Sequence, residues 1–183
     1  MYLAQPVPAD TPGPTLFRIA STGSLVLAIL ATGLAAGFFY AYDVSVTRGL
    51  AIVDDRTYVE TMQAINATVR NAPFALSFFG PPLLALTALL LRLGPHRSQS
   101  TWLVAAGFLL YAVGVFAVTF AFNVPLNDEL AGYTDLEAVD LAAIRADHEP
   151  DWNAWNHVRT GASLASLAAL VGALHLEPRK AHP

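Results

Sequence analysis

The chain has no cysteine. That removes disulfide frameworks, thiolate metal sites, cysteine nucleophiles and cysteine-ligated iron–sulfur clusters together. Charge is almost as scarce. Asp, Glu, Lys and Arg make up 13% of the 183 residues, against about 25% in a soluble domain. Ten basic residues face 14 acidic ones, a net charge of −4, which argues against the basic face of a nucleic-acid binder. The P-loop pattern GxxxxGKS/T, the hydrolase elbow GxSxG and the zinc motif HExxH are all missing. No repeat of useful length occurs.

What is present is long apolar sequence. Hydrophobic residues reach 55%, and four windows, 19–42, 71–91, 98–127 and 160–176, hold no charged side chain. A membrane-spanning helix needs about 20 mainly apolar residues, because the hydrocarbon core is about 30 Å thick. Three windows meet that length. The fourth helix is expected to start upstream at Trp152, with Arg159 near the interface or turned inward. A water-soluble bundle would need charged outer faces on these helices, and the windows have none. The expected fold is therefore all-α: an integral membrane four-helix bundle, with short amphipathic helices in its two outer loops. A cleaved signal peptide is not expected, since no Lys or Arg precedes Arg18 and the first apolar run exceeds an h-region of roughly 7–15 residues.

Loop charges orient the bundle. The side holding the N-terminus, the 93–97 turn and the C-terminal tail carries Arg18, Arg92, Arg97, Arg179 and Lys180 against Asp10 and Glu177. The other side carries five arginines against twelve carboxylates. Basic density is higher on the first side, so the positive-inside rule places both termini in the cytoplasm, with the bundle in the plasma (inner) membrane. Residues 1–15, with Pro6, Pro8, Pro12, Gly13 and Pro14, read as a flexible cytoplasmic tail. Residues 16–176 form one transmembrane domain, and 177–183 a second cytoplasmic tail.

Gly33 and Gly37 have the small-xxx-small spacing that lets backbones approach. Gly161, Ala165, Ala169 and Ala173 form a similar ridge, and such faces leave room for an oligomer. Thr57 with Glu60 reads as a capping box. Behind it Tyr58, Met62, Ile65 and Val69 fall on one stripe of an outer amphipathic helix, with Gln63, Asn66 and Arg70 beside them. That helix should lie on the outer surface or fold over the bundle mouth. Pro81-Pro82 should kink the second span, and neighbouring helices must satisfy the carbonyls they free. The third span is expected to stop in a turn at Asn123-Val124-Pro125-Leu126-Asn127. A second outer helix is expected from Thr134, capped with Glu137, to about Asp147. Pro150-Asp151 then opens the last span, with Asp151 as N-cap.

Three polar clusters fall at the outer helix ends. In the stretch 152–159, Trp152, Trp155, Asn156 and Arg159 share one helical face, and Asn153, His157 and Thr160 another. An aromatic belt would explain the tryptophans. Asn156, His157 and Arg159 would be costly facing lipid, so they should turn into the bundle and mark a site. Asn123 and Asn127 flank Pro125, where ordinary turn capping is the simpler reading. Gln63, Asn66 and Arg70 could equally form a solvated face. His148 and His157 with Asp147, Glu149 and Asp151 match no zinc spacing, and no metal site is assigned.

The stretches 37–46 with Gly49-Leu50, then Met62-Gln63-Ala64-Ile65-Asn66, then Asn123-Val124-Pro125-Leu126-Asn127, and finally Trp155-Asn156-His157-Val158-Arg159-Thr160 resemble the anthrone oxygenase family. That group consists of small four-helix membrane proteins, many catalogued as a domain of unknown function. The resemblance runs from about Gly23 to Leu174. It implies a membrane oxidase or monooxygenase acting on a lipophilic phenolic or anthrone-like small molecule, with dioxygen as co-substrate and no cofactor specified. The candidate catalytic residues are then His157 as base, with Arg159 and Asn156 stabilising an anion. Asn123, Asn127, Trp155, Tyr40, Gln63 and Asn66 are the candidate substrate contacts. The competing reading is a non-enzymatic scaffold, accessory subunit or lipophilic-ligand binder. A pocket reaching the polar cluster favours the first reading; a solid core with every Asn and Arg satisfied favours the second.

Overall fold

A computed structural model describes residues 14–93 and 98–177, all of them helical or in short connections, with no strand among them. Four helical spans are long and apolar enough to cross a membrane: Leu16–Leu50, Ala72–Leu90, Gln99–Gly132 and Leu141–His175. The first comprises α1 (Pro14–Ala41), a π-helical segment (Tyr42–Val46) and α2 (Thr47–Leu50). Helix α3 (Asp55–Thr68) follows, then α4 (Ala72–Leu90) as the second span. The third span runs through α5 (Gln99–Tyr111), π-helical segments at Ala112–Ala117 and Thr119–Asn123, and α6 (Val124–Gly132). Helix α7 (Leu141–His175) is the fourth.

The outer surface of the bundle is apolar, and its core holds polar side chains among the apolar ones. Leu34 and Leu83 are 67% and 64% exposed, whereas Thr32, Ser163, Ser166 and Asn156 are fully buried. In water that arrangement would expose apolar surface at about 25 cal/mol per Å²; in lipid it is the low-energy one. Two of the buried hydroxyls bond the backbone of a neighbouring helix, Ser166 donating to Gly107 O at 2.7 Å and Ser100 to Ala173 O at 2.9 Å, whereas the Thr32 hydroxyl has no partner. A small residue is required where α7 meets the third span. A Cβ on Gly107 would fall 2.8 Å from Leu170, and one on Gly114 2.4 Å from the Ala162 Cβ.

Three apolar layers stack along the bundle. Leu25, Ala28, Ala85, Ala88, Val104, Leu170 and Ala173 fill the end where α1 begins and α7 stops. Ala35, Phe39, Phe78, Tyr111 and Val115 fill the middle. At the far end Tyr42, Leu50, Tyr58, Val59, Met62, Leu130, Ile144 and Trp152 pack together, with α3 folded over the mouth.

Several helix boundaries differ from those expected. The N-cap of α3 is Asp54, which accepts from Thr57 N–H, so the Thr57–Glu60 box is displaced by one turn. Asn123 is no turn, for the third span stays helical past Pro125. The π-helical turn at Thr119–Asn123 widens the backbone ahead of the ring, and Pro125 sits at the start of α6, where its missing N–H is least costly. No separate helix spans 134–147. Residues 133–140 are turns and extended chain, and α7 begins at Leu141 with Asp140 as its cap. Asp151 is not a cap, and Pro150 lies inside α7. Ile144, His148, Trp152 and Asn156 are all buried on one stripe that crosses the proline, and that packing outweighs roughly 3 kcal/mol of proline penalty.

Gly33, Gly37 and Gly161 have open space where a Cβ would stand, so they make no close helix contact within the chain. The close approaches belong to Gly107 and Gly114 instead. Helix α1 begins two residues inside the expected 1–15 tail. The rest of that tail, most of the 93–97 turn and residues 178–183 lie outside the described residues.

Candidate active site

The α7 stripe that crosses Pro150 carries Trp152, Asn156 and Arg159 into the bundle. Arg159 is only 6% exposed. Its Nη2 donates to Asn156 Oδ1 at 2.9 Å, and its Nε has no partner. The guanidinium lies 4.7 Å from the Phe39 ring centroid and 5.2 Å from that of Trp152. Cation–π attraction, worth about 2 kcal/mol when desolvated, holds the charge where it has only one hydrogen bond. Asn156 is itself anchored: Nδ2 donates to Phe39 O at 3.1 Å and to the Asp43 carboxylate. Asp43 belongs to the π-helical segment Tyr42–Val46, a type of turn often found at functional sites.

This group forms one wall of a cavity of about 680 Å³. Phe38, Phe39, Phe74, Phe78, Phe79 and Phe120 line it, together with Tyr42 and Trp152. Its polar lining is sparse: Asn66, Arg70, Asn71, Thr119, Asn127, Asp128 and Arg159. The Asn66 Nδ2 is buried without a partner. Asn127 Oδ1 accepts from Trp152 Nε1 at 2.9 Å and fixes that ring. At the rim, Arg70 of the α3–α4 connection pairs with Asp128 of α6 at 3.0 Å. The pocket therefore combines an apolar, aromatic body with one buried cation, Arg159.

The sequence candidates divide. Arg159, Asn66 and Asn127 line the cavity. Asn156 stands behind Arg159, and Asn123 behind Trp152, donating to Trp152 O at 3.4 Å while its own Oδ1 stays unpartnered. His157 does not face the cavity: its side chain is 65% exposed, and Nδ1 lies 3.0 Å from Asp43 Oδ1. Trp155 stacks on Phe122 at 3.6 Å, away from the cavity. Tyr40 is 52% exposed on the outer surface of α1. The Gln63 amide donates to Leu130 O and Tyr133 O at 2.8 and 3.0 Å, fastening α3 to the end of α6.

Tyr42, Trp152 and Asp43 were not among the candidates. Helical spacing already placed Trp152 with Asn156 and Arg159, so that signal was available.

A second polar group holds α3 in place. Tyr58 Oη lies 2.8 Å from His148 Nδ1. Burial, reinforced by the nearby Glu149 carboxylate, pushes the Tyr58 hydroxyl above its ordinary pKa, so it stays protonated and shares a hydrogen bond with the ring nitrogen. Arg145 reaches Leu50 O, Val53 O, Asp55 and Glu149, clamping the α2–α3 connection to α7. Among the described residues no group of three or more His, Asp or Glu is arranged to hold a metal ion.

The fold defines an all-helical bundle whose four long apolar helices suit a membrane. The anthrone oxygenase family model matches residues 74–169, just over half of the sequence, and the chain belongs to that family. The 123–127 and 155–160 signatures lie inside the matched stretch; 37–50 and 62–66 lie outside it. No curated protein and no solved structure matches the chain.

Proposed function

We propose that this protein is a membrane-embedded oxidase that binds a lipophilic phenol or anthrone in the cavity beside Arg159 and uses dioxygen to oxidise it. The observation that carries this reading is Arg159: a buried guanidinium with a single hydrogen bond, at the wall of an aromatic cavity of about 680 Å³. A buried charge with unused donors is expensive unless a ligand completes it. The unpartnered Asn66 amide is a second unused donor in the same cavity.

An anthrone suits this chemistry. Its flat rings match the phenylalanine walls, and its deprotonated form is an electron-rich anion able to reduce dioxygen. Arg159 stabilises that anion and so favours loss of the ring proton. In the overall reaction the ring CH₂ becomes C=O: two hydrogens leave, one oxygen atom of dioxygen is retained, and the other departs as water. His157, outside the cavity, is not the base in this scheme. The loop charges support an orientation with both termini cytoplasmic and this cavity at the outer face.

The test is quinone formation from 1,8-dihydroxyanthrone under air, in membranes holding the wild-type protein or the Arg159→Met variant, each corrected for the uncatalysed rate. The expected result is catalysed turnover reduced at least tenfold in the variant. Equal turnover in both rejects the assignment. Ligand binding without turnover in the wild type supports the non-enzymatic binder instead.

A further inference from the structure

The cavity has two kinds of edge. On its polar side the Arg70–Asp128 ion pair bridges the rim at 3.0 Å. On its apolar side two wall residues are also outward-facing: Phe79 is 42% exposed and Phe120 48%. Phe79 lies eight residues past Asn71, the α4 cap, so about 12 Å along the helix at 1.5 Å per residue. That depth falls inside a hydrocarbon core of about 30 Å.

Helix α4 packs along α1 and α5. Where the third span turns π-helical, the two helices meet differently. Among the described residues no hydrogen bond or ion pair joins α4 to residues 112–123. Phenylalanine rings meet across the parting: Phe78 stacks on Phe116 at 5.5 Å, Phe79 meets Phe116 edge-on at 5.6 Å, and Phe116 meets Phe120 at 4.9 Å. Rings can change rotamer without breaking a polar contact. Opening the rim, in contrast, requires separating an ion pair, an exposed one worth about 0.2–1 kcal/mol.

We propose that the ligand enters and leaves the cavity sideways, from the hydrocarbon of the bilayer, between α4 and the π-helical part of the third span, with Phe79, Phe116 and Phe120 as the movable door. This rests on the ligand reading given above. The occupant is a lipophilic aromatic molecule already dissolved in the membrane, which never has to cross water to reach Arg159. The entering rings exchange one apolar contact for another, so the passage carries little desolvation penalty.

The absence of cysteine makes the test clean. A Phe79→Cys/Phe120→Cys variant in lipid vesicles is stapled with a disulfide-forming bis-methanethiosulfonate, which thiol reductant releases. Binding of 1,8-dihydroxyanthraquinone is followed by quenching of tryptophan fluorescence, since Trp152 forms part of the wall. The expected result is that the staple slows association at least tenfold and reductant restores it. The rate in the unstapled protein should follow the probe's mole fraction in lipid, falling about twofold when lipid is doubled at fixed probe. Arg70→Gln, which opens the rim, should not accelerate it. Association that ignores the staple, or that accelerates in Arg70→Gln, overturns the lateral route while leaving the ligand reading intact. No binding to the unstapled protein at all removes both.

Discussion

Tyr111 donates its hydroxyl hydrogen bond to the carbonyl of Phe78 at 3.1 Å, and Phe78 lies four residues before Pro82. That carbonyl would bond the N–H of residue 82 in an unbroken α-helix, and proline has none. A side chain from the third span supplies the donor, as a non-aqueous surrounding requires. Tyr111→Phe is expected to lower stability by about 1–3 kcal/mol, the penalty of an orphaned buried carbonyl. Denaturation in detergent measures it. Adding Pro82→Ala should abolish most of the loss, because the restored N–H reaches Phe78 O; an additive double variant contradicts the pairing.

The same substitution should have opposite signs at two glycines. Gly114→Ala places a Cβ 2.4 Å from Ala162, and overpacking of this kind costs about 1–3 kcal/mol. Gly33→Ala meets nothing within 4 Å and gains about 0.5–1 kcal/mol of helix propensity. Thermal unfolding of both variants checks the contrast, and Ala162→Gly should rescue Gly114→Ala.

Arg159 is expected to serve function at the expense of stability. Replacing it with Met removes a buried charge that has one hydrogen bond and relieves a desolvation cost of several kcal/mol, against about 1–3 kcal/mol for the Asn156 acceptor it leaves unpaired. The midpoint of unfolding of Arg159→Met should therefore equal or exceed that of the wild type. A large loss of stability would make Arg159 a structural residue.

Asp54 gives α3 an acid limit. Hydrogen bonds from the Thr57 hydroxyl and N–H hold its carboxylate below the ordinary value of 3.8. A lowered folded value means that the stabilisation is complete above the unfolded value and is lost as pH falls through the folded one. Amide exchange at residues 55–58, corrected for its intrinsic pH dependence, should show the first turn of α3 fraying only below the ordinary carboxylate range. Asp54→Asn, whose cap does not titrate, should remove that pH dependence.

Charge-free windows made the four spans legible, because burial in lipid leaves a composition signal that no other solvent produces. The need for an outside donor at Pro81-Pro82 was legible for the same reason. Boundaries beside prolines were not. At Pro125 the π-helical turn and at Pro150 the stripe Ile144–His148–Trp152 carry the helix through, and both are tertiary effects invisible to local propensity. Arg159 could be read as turned inward from its place beside an apolar run. His157, two positions earlier in the same motif, lies 160° or so away around a helix of about 3.6 residues per turn and faces outward. The cavity itself had no local signature, since it depends on where α3 folds over the mouth and where α4 parts from the third span.

The most direct measurement is the ionisation of a bound phenol. 1,8-Dihydroxyanthraquinone changes colour when it loses a proton, and it can be titrated while bound to the wild-type protein and to Arg159→Met in the same vesicles. If the buried guanidinium stabilises the anion, the bound phenol ionises about one pH unit or more lower in the wild type, equivalent to a tenfold preference for the anion. Identical titration curves in the two proteins would contradict the account.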